Sequence, residues 1–284
     1  MKSDKELTID AERIRLGILR GLRKSGAGHI GGSMSMAEVM AVLYGGVMRV
    51  RPQDPKWEDR DWLVVSKGHC GPAVYATLAL HGFFPESELD TINQGGTKLP
   101  SHCDRNRTPG IDMSTGSLGQ GMSTAIGTAF GNRYQGRPSR TYLILGDGEI
   151  QEGQVWEGAM FAAQHKLSNL VAFVDANKKQ LDGYLSEICD MGDIAQKFRD
   201  FGWYAQECDG HDVGSIRSAI RLATKSADKP SMIVLHTEKG AGCTFAEGVY
   251  YNHHIKFSSE EYEEAVACLE NRVASIEKEE PAHV

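Results

Sequence analysis

The chain is poor in the features that would place it in several common classes. Its six cysteines (Cys70, Cys103, Cys189, Cys208, Cys243 and Cys268) form no CxxC and no short pairing pattern. This argues against a zinc ribbon or a disulfide framework, and a chain of 284 residues does not need such staples. Reduced thiols in a cytoplasmic compartment are the expectation. The longest apolar run, Val39 to Met48, is too short to span a bilayer, and the N-terminal MKSDKELTIDAERIR lacks an apolar signal core. Basic residues are in the minority: 31 Lys and Arg stand against 38 Asp and Glu, a net charge of −7, with the two signs interspersed. No positive field for nucleic acid or an anionic membrane results, so neither is an expected partner. There is no repeat or low-complexity segment, and the only linker-like piece is the polar tail from Lys278 to Val284. With 40% hydrophobic and 24% charged residues, a single domain over residues 1–284 is expected.

The informative stretch runs from Thr141 to Gly183. Thr141 to Leu145 is apolar without polar alternation, as in a strand buried on both faces, and Gly146-Asp147-Gly148 ends it. Gln154 to Lys166 carries Val155, Ala159, Ala162 and Ala163 at helical spacing, and Leu170 to Val174 is a second buried strand. The unit predicts two parallel strands joined by a helix. Ligands in open α/β sheets collect beyond the carboxyl ends of the strands. Asp147 and Asn177, just past those ends, can therefore converge near the N-terminus of the intervening helix, where free N–H groups favour phosphate. A carboxylate beside a phosphate needs a cation between them. Asp147, the Asn177 amide oxygen, a backbone carbonyl such as that of Lys179, and phosphate oxygens make the hard octahedral shell of Mg²⁺, with Ca²⁺ a possible substitute. On these residues alone, two ordinary turns remain the alternative.

Further strands are predicted at Asp61 to Val65, Gly202 to Gln206 and Met232 to His236, with helices over Asp10 to Lys24, from Ser35, over Glu86 to Asn93 and over Met122 to Tyr134. Ser35 with Glu38 three residues on is a candidate capping box. The alternation predicts an α/β fold, a mainly parallel sheet with helices on both faces. His29 lies among glycines that let a ligand approach, a solvated loop histidine being the alternative. His69, in SKGHCGP, sits where a strand gives way to a helix and can donate either to an anion or to a nearby carbonyl. His102 lies in LPSHCD, within a long loop over Gly95 to Asp112, a kind of loop more often functional than idle. Glu152 and Glu157 fall in the first turns of the central helix, where they complement its dipole. Gly116 to Gly121 is a glycine-rich turn into a helix, and Lys239-Gly240-Ala241-Gly242 and His253-His254 follow the last strand.

GDG, a helix and an apolar strand ending in Asn together resemble the signature of thiamine-diphosphate enzymes. GDGEIQEGQVWEGA followed by HKLSNLVAFVDANKKQLDG is similar to transketolase in particular, as are SGAGHIGG, SKGH, PGIDMSTGSLGQG and TEKGAG. The resemblance implies a thiamin diphosphate-binding fold that transfers a two-carbon ketol unit from a ketose phosphate to an aldose. It implies that His29, His102 and one of His253 or His254 face the sugar, and that His69 meets the diphosphate. Gly116 would offer backbone to the aminopyrimidine, Leu118 would support the folded cofactor, and Gly146 and Gly148 would flank the metal ligand. Glu152 and Glu157 would lie between two active sites. Cys103 and Asp104 replace the Pro-Glu that often follows His102 in the family. The resemblance covers the diphosphate-binding domain only, which implies an N-terminal subunit working with a C-terminal transketolase subunit that carries the pyrimidine-binding domain, in an α₂β₂ assembly. The alternatives are the α-type subunit of a 2-oxo acid dehydrogenase, which the histidine motifs disfavour, and a non-catalytic cofactor-binding subunit.

Overall fold

The computed structural model describes residues 1–278, so all of the expected polar tail beyond Lys278 lies outside the described residues. Seven strands occur among these: β1 Ala27–Gly28, β2 Trp62–Val65, β3 Thr141–Gly146, β4 Leu170–Ala176, β5 Tyr204–Asp209, β6 Ser231–His236 and β7 Ile255–Lys256. The α-helices are α1 Asp4–Arg23, α2 Gly31–Met34, α3 Ala37–Val42, α4 Gly71–Leu80, α5 Gln120–Tyr134, α6 Gly153–Gln164, α7 Leu185–Ile188, α8 Ile194–Asp200, α9 Val213–Ala223 and α10 Ser259–Lys278. Five strands form one parallel sheet in the order β2-β3-β4-β6-β5, and β1 pairs antiparallel with β7.

Side chains alternate across the sheet, as the pleat requires. Tyr142, Ile144, Val171, Phe173, Ile233 and Leu235 enter a core with α1, α3, α4, α9 and α10. Leu143, Leu145, Ala172, Val174, Met232 and Val234 enter a second core with α5, α6 and α8. Both faces are covered, which explains why β3 and β4 read as unbroken apolar runs.

Two local expectations are corrected. The first helix begins at Asp4, well before the expected Asp10, because Ser3 and Glu6 form a capping box: Ser3 Oγ accepts from the Glu6 N–H and the Glu6 carboxylate accepts from the Ser3 N–H. The box expected at Ser35 and Glu38 does not form. Ser35 closes α2 and its hydroxyl donates to Asp175 (2.6 Å), while Glu38 pairs with Arg15 (2.6 Å), both in the interior. Buried charge partners take these side chains from the backbone.

The long loop protects the edge of the sheet. Leu63 N–H donates to Asp112 Oδ2 (2.9 Å), and Thr115 Oγ1 donates to the Val65 carbonyl (2.7 Å). Polar groups of an exposed edge strand are thereby satisfied, and the same loop delivers His102 to the carboxyl end of the sheet.

Gly121 allows α5 to start against β2: a Cβ there would lie 2.3 Å from Ser66 Oγ and 2.7 Å from Ser66 Cα. Gly121→Val should destabilise the chain by about 1–3 kcal/mol, the usual range for overpacking. The check is a lower urea midpoint at unchanged m-value; an unchanged midpoint would refute the tight approach.

Candidate active site

Four strand ends of the parallel sheet build the floor of the site. Beyond β2 come Ser66, Lys67 and His69, beyond β3 comes Asp147, beyond β4 comes Asn177, and beyond β6 come Thr237 and Lys239. Parallel pairing sets Gly146 opposite Asp175, so Asp147 emerges beside the turn that begins at Asn177. That turn closes onto it: Lys178 N–H donates to Asp147 Oδ2 (2.5 Å), with Lys178 at φ 66°. Gly148 N–H donates to Asp147 Oδ1 (2.8 Å). Asn177 Nδ2 donates to Asp175 (2.9 Å), and its Oδ1 accepts the Lys179 N–H (3.2 Å). The Lys179 carbonyl accepts Lys239 Nζ (3.0 Å), as does the Gln180 carbonyl (3.2 Å). The carbonyl expected to serve a metal is thus occupied by the Lys239 ammonium. The Lys179 side chain turns away, to Glu238 and the Val249 carbonyl. Asp147, Asn177 and the Lys179 carbonyl therefore fit a hard cation, completed by waters and phosphate oxygens.

The histidines stand together on one side of this floor. Pairing of β1 with β7 sets Gly28 opposite Ile255, which brings His29 against the two histidines preceding β7. Ring centroids lie 5.3 Å from His29 to His253, 4.9 Å to His254, 5.5 Å to His69 and 5.7 Å to His102. His253 lies 4.6 Å from His69, and its Nδ1 is 3.5 Å from Lys239 Nζ. Of the adjacent pair, His253 is half-buried beside the lysine and His254 is exposed. Tyr75 Oη donates to the Pro100 (2.8 Å) and His102 (3.2 Å) carbonyls and so fixes the loop that carries His102. Gly116 lies under that ring: a Cβ on it would be 3.0 Å from His102 Cδ2, and its φ of 146° suits glycine.

Burial dominates the electrostatics. Burial, then neighbouring positive charge, pushes His29 down to about 4, His69 to about 2 and His253 to about 3, so all three imidazoles are neutral at pH 7. Asp147 moves oppositely, raised to about 7 by burial and by the negative charge of Asp175. Lys239 is lowered to about 8 by burial, against the attraction of Asp147. The site is held away from comfortable charge states, which a bound anion with its cation would relieve.

Gly146 and Gly148 flank Asp147 as expected, with a Gly148 Cβ position 2.8 Å from Gln180 Cβ. Leu118 is 38% exposed on the rim. Glu152 is the N-cap of α6 and Glu157 lies one turn on, both solvent-facing. They stand apart from the histidine cluster. Sequence reasoning did not single out Lys67, Glu149 or Asp175. The Glu149 carboxylate takes Ser66 Oγ, the Gly119 N–H (2.8 Å) and the Gly146 N–H (3.0 Å), which ties three loops of the site together. Its place directly after GDG was the available signal.

Known proteins share the sequence and the fold of this chain. The family described as transketolase, thiamine diphosphate binding domain, matches residues 6–270. The chain belongs to the transketolase family. It is 50% identical over 269 residues to the 6-deoxy-6-sulfo-D-fructose transketolase subunit SqwG of Clostridium sp. (strain MSTE9), covering 95% of this chain and 98% of that one. It is 37% identical to an apulose-4-phosphate transketolase subunit of Phocaeicola vulgatus, covering 96% and 97%. Against the transketolase of Pichia stipitis solved with fructose 6-phosphate, the TM-score is 0.85 at 28% identity, covering 98% of this chain and 45% of that one. The transketolase chain thus spans the full length of subunit-type relatives and under half of the single-chain enzyme.

The charge states make a pH prediction for the chain without ligand. Below pH 6.5 the unfolded chain protonates His29, His69 and His253, which the folded chain refuses until about pH 4 or lower, so stability falls as pH drops through that window. Asp147 opposes this, since the fold holds its proton up to about pH 7. Other groups shift as well: burial raises Glu12, Asp112 and Glu149, burial lowers His81, and His211 is raised, against burial, by Glu38. The histidine share is therefore read by difference: from pH 7 to pH 5 the thermal midpoint of the native chain should move further downward than that of His69→Asn. An equal change in both would contradict a buried neutral imidazole at His69.

Proposed function

We propose that this chain is the N-terminal subunit of a two-chain transketolase that uses thiamine diphosphate with Mg²⁺ to move a two-carbon ketol unit from a ketose to an aldose. One observation carries the reading: the Asn177–Lys179 turn closes onto Asp147, and Lys239 links that turn to His253 of the histidine cluster, in a chain matched over 95% of its length by a transketolase subunit. Residues 1–284 act as one diphosphate-binding domain in the cytoplasm. The partner is a C-terminal subunit with the pyrimidine-binding domain, in an α₂β₂ assembly. Donors are ketoses with an anionic end, as in the sulfo-sugar and sugar-phosphate substrates named for its relatives.

When bound, the cofactor supplies the electron sink for breaking the ketose carbon–carbon bond. This chain's residues do the rest on the diphosphate side. Asp147, Asn177 and the Lys179 carbonyl would hold Mg²⁺, and His69 and Lys239 would bind phosphate oxygens. Gly146 and Gly148 let those oxygens approach the backbone, Gly116 offers its backbone to the ring, and Leu118 supports the folded cofactor. His29, His102 and the His253–His254 pair would accept and return protons at sugar hydroxyls, with His29 and His253 held neutral by burial. Glu152 and Glu157 face the partner and link the two sites of the assembly.

Asp147→Ala should abolish Mg²⁺-dependent cofactor binding in calorimetric titration with the fold intact; unchanged affinity would remove the metal assignment. His102→Ala should slow transfer by about 10²- to 10⁴-fold with cofactor affinity retained; weakened cofactor binding with normal turnover at saturating cofactor would reverse its role. The function itself is tested by activity on a panel of ketose phosphates and sulfonates. None is expected from the chain alone, and activity should saturate at one equivalent of the C-terminal subunit. Turnover by the isolated chain would overturn the two-chain reading.

A further inference from the structure

Asp175 is fully buried near the end of β4, between Gly146 of β3 and Leu235 of β6. Its carboxylate gathers four donors from four segments. Oδ2 accepts from Ser35 Oγ (2.6 Å), Lys67 Nζ (2.5 Å) and Asn177 Nδ2 (2.9 Å), and Oδ1 accepts from Thr237 Oγ1 (2.5 Å). Each donor adjoins part of the site: Ser35 follows the His29 segment, Lys67 precedes His69, Thr237 precedes Lys239, and Asn177 is itself a candidate ligand.

The bond to Asn177 has a directional consequence. A side-chain amide has one donor end and one acceptor end, and an ionised carboxylate accepts only. Lys67 Nζ forms a buried ion pair with Asp175 at 2.5 Å, and the other side-chain partners of Asp175 are all donors, so the carboxylate acts here as an acceptor. Facing it, Asn177 must present Nδ2, and Oδ1 must then point the other way, where it accepts the Lys179 N–H beside the Asp147 turn. An inverted amide would set its NH₂ toward the cation and its oxygen against a carboxylate, two repulsions in place of two attractions. The extra anion would ordinarily hinder phosphate binding nearby. Lys67, itself 2% exposed, cancels that charge at close range.

We propose that Asp175 is a positioning residue that locks the Asn177 amide with its oxygen toward the cation, with Lys67 as its neutralising partner. This rests on the Mg²⁺–thiamine diphosphate reading above. The same hub ties the His29, His69 and Lys239 segments to that oxygen, so it sets the ligand at a fixed place relative to the rest of the site.

The test is calorimetric titration of Mg²⁺ into the full chain saturated with thiamine diphosphate. Native chain should bind; absence of any Mg²⁺-dependent binding there would overturn the cofactor reading itself, independently of Asp175. Replacing the buried pair by apolar side chains, Lys67→Met with Asp175→Leu, should weaken Mg²⁺ about 10- to 100-fold, the usual effect of losing a group that orients a metal ligand. A general loosening would do the same, so rescue decides. Asn177→Asp added to that double variant should restore binding, because a carboxylate offers oxygen whichever way it turns. Asn177→Asp in the native background should instead weaken binding, since it places a second anion against Asp175. If the double variant binds like native, or if Asn177→Asp fails to rescue it, the proposal falls. Should the double variant not fold, the single variant still decides: tighter or equal Mg²⁺ binding by Asn177→Asp overturns the proposal.

Discussion

Parallel registration of β3 with β4 is the constraint on which the site depends. Because Gly146 stands opposite Asp175, the two strands leave the sheet at the same level, and Asp147 meets the Asn177–Lys179 turn without a long excursion by either. That placement is secured by apolar packing on both faces, remote from any ligand. The sheet holds Asp147 against the Asn177–Lys179 turn, and burial there, with the charge of Asp175, raises the Asp147 carboxyl.

A second consequence concerns the histidines. Burial keeps His29, His69 and His253 neutral, helped by mutual repulsion and by the nearby ammonium of Lys239. Neutral imidazoles can accept protons from sugar hydroxyls near pH 7, which protonated ones could not. Lys67 does not add free positive charge to this cluster, since Asp175 balances it. Lys239, with the Lys179 and Gln180 carbonyls as its partners, is the cation that the proposed diphosphate would meet.

Much of this was legible in the sequence where signals are local. The unbroken apolar runs of β3 and β4, the glycines around Asp147 and the place of His69 after a strand pointed to the end of the sheet, while flanking glycines marked His29 and a long loop marked His102. What escaped were side chains whose partners lie far along the chain. Ser35 looked like a helix cap because Glu38 follows at the right spacing, but the bond it makes is to Asp175, 140 residues away. Lys67 and Asp175 sit in motifs whose neighbours, His69 and Asn177, drew the functional reading. A charged residue inside an apolar strand such as LVAFVDA was the signal for a buried pair. The choice between His253 and His254 could not come from spacing, since the pairing of β1 with β7 brings both to His29.

The central claim is that this chain recognises the diphosphate and its metal, while the ring of the cofactor belongs largely to the partner. Competition calorimetry on the isolated chain tests it directly, with inorganic pyrophosphate, thiamine and thiamine diphosphate each titrated with and without Mg²⁺. The account predicts that pyrophosphate binds in a Mg²⁺-dependent manner and competes with thiamine diphosphate, and that thiamine alone does not bind. Binding of thiamine without phosphates, or pyrophosphate binding indifferent to Mg²⁺, would contradict it.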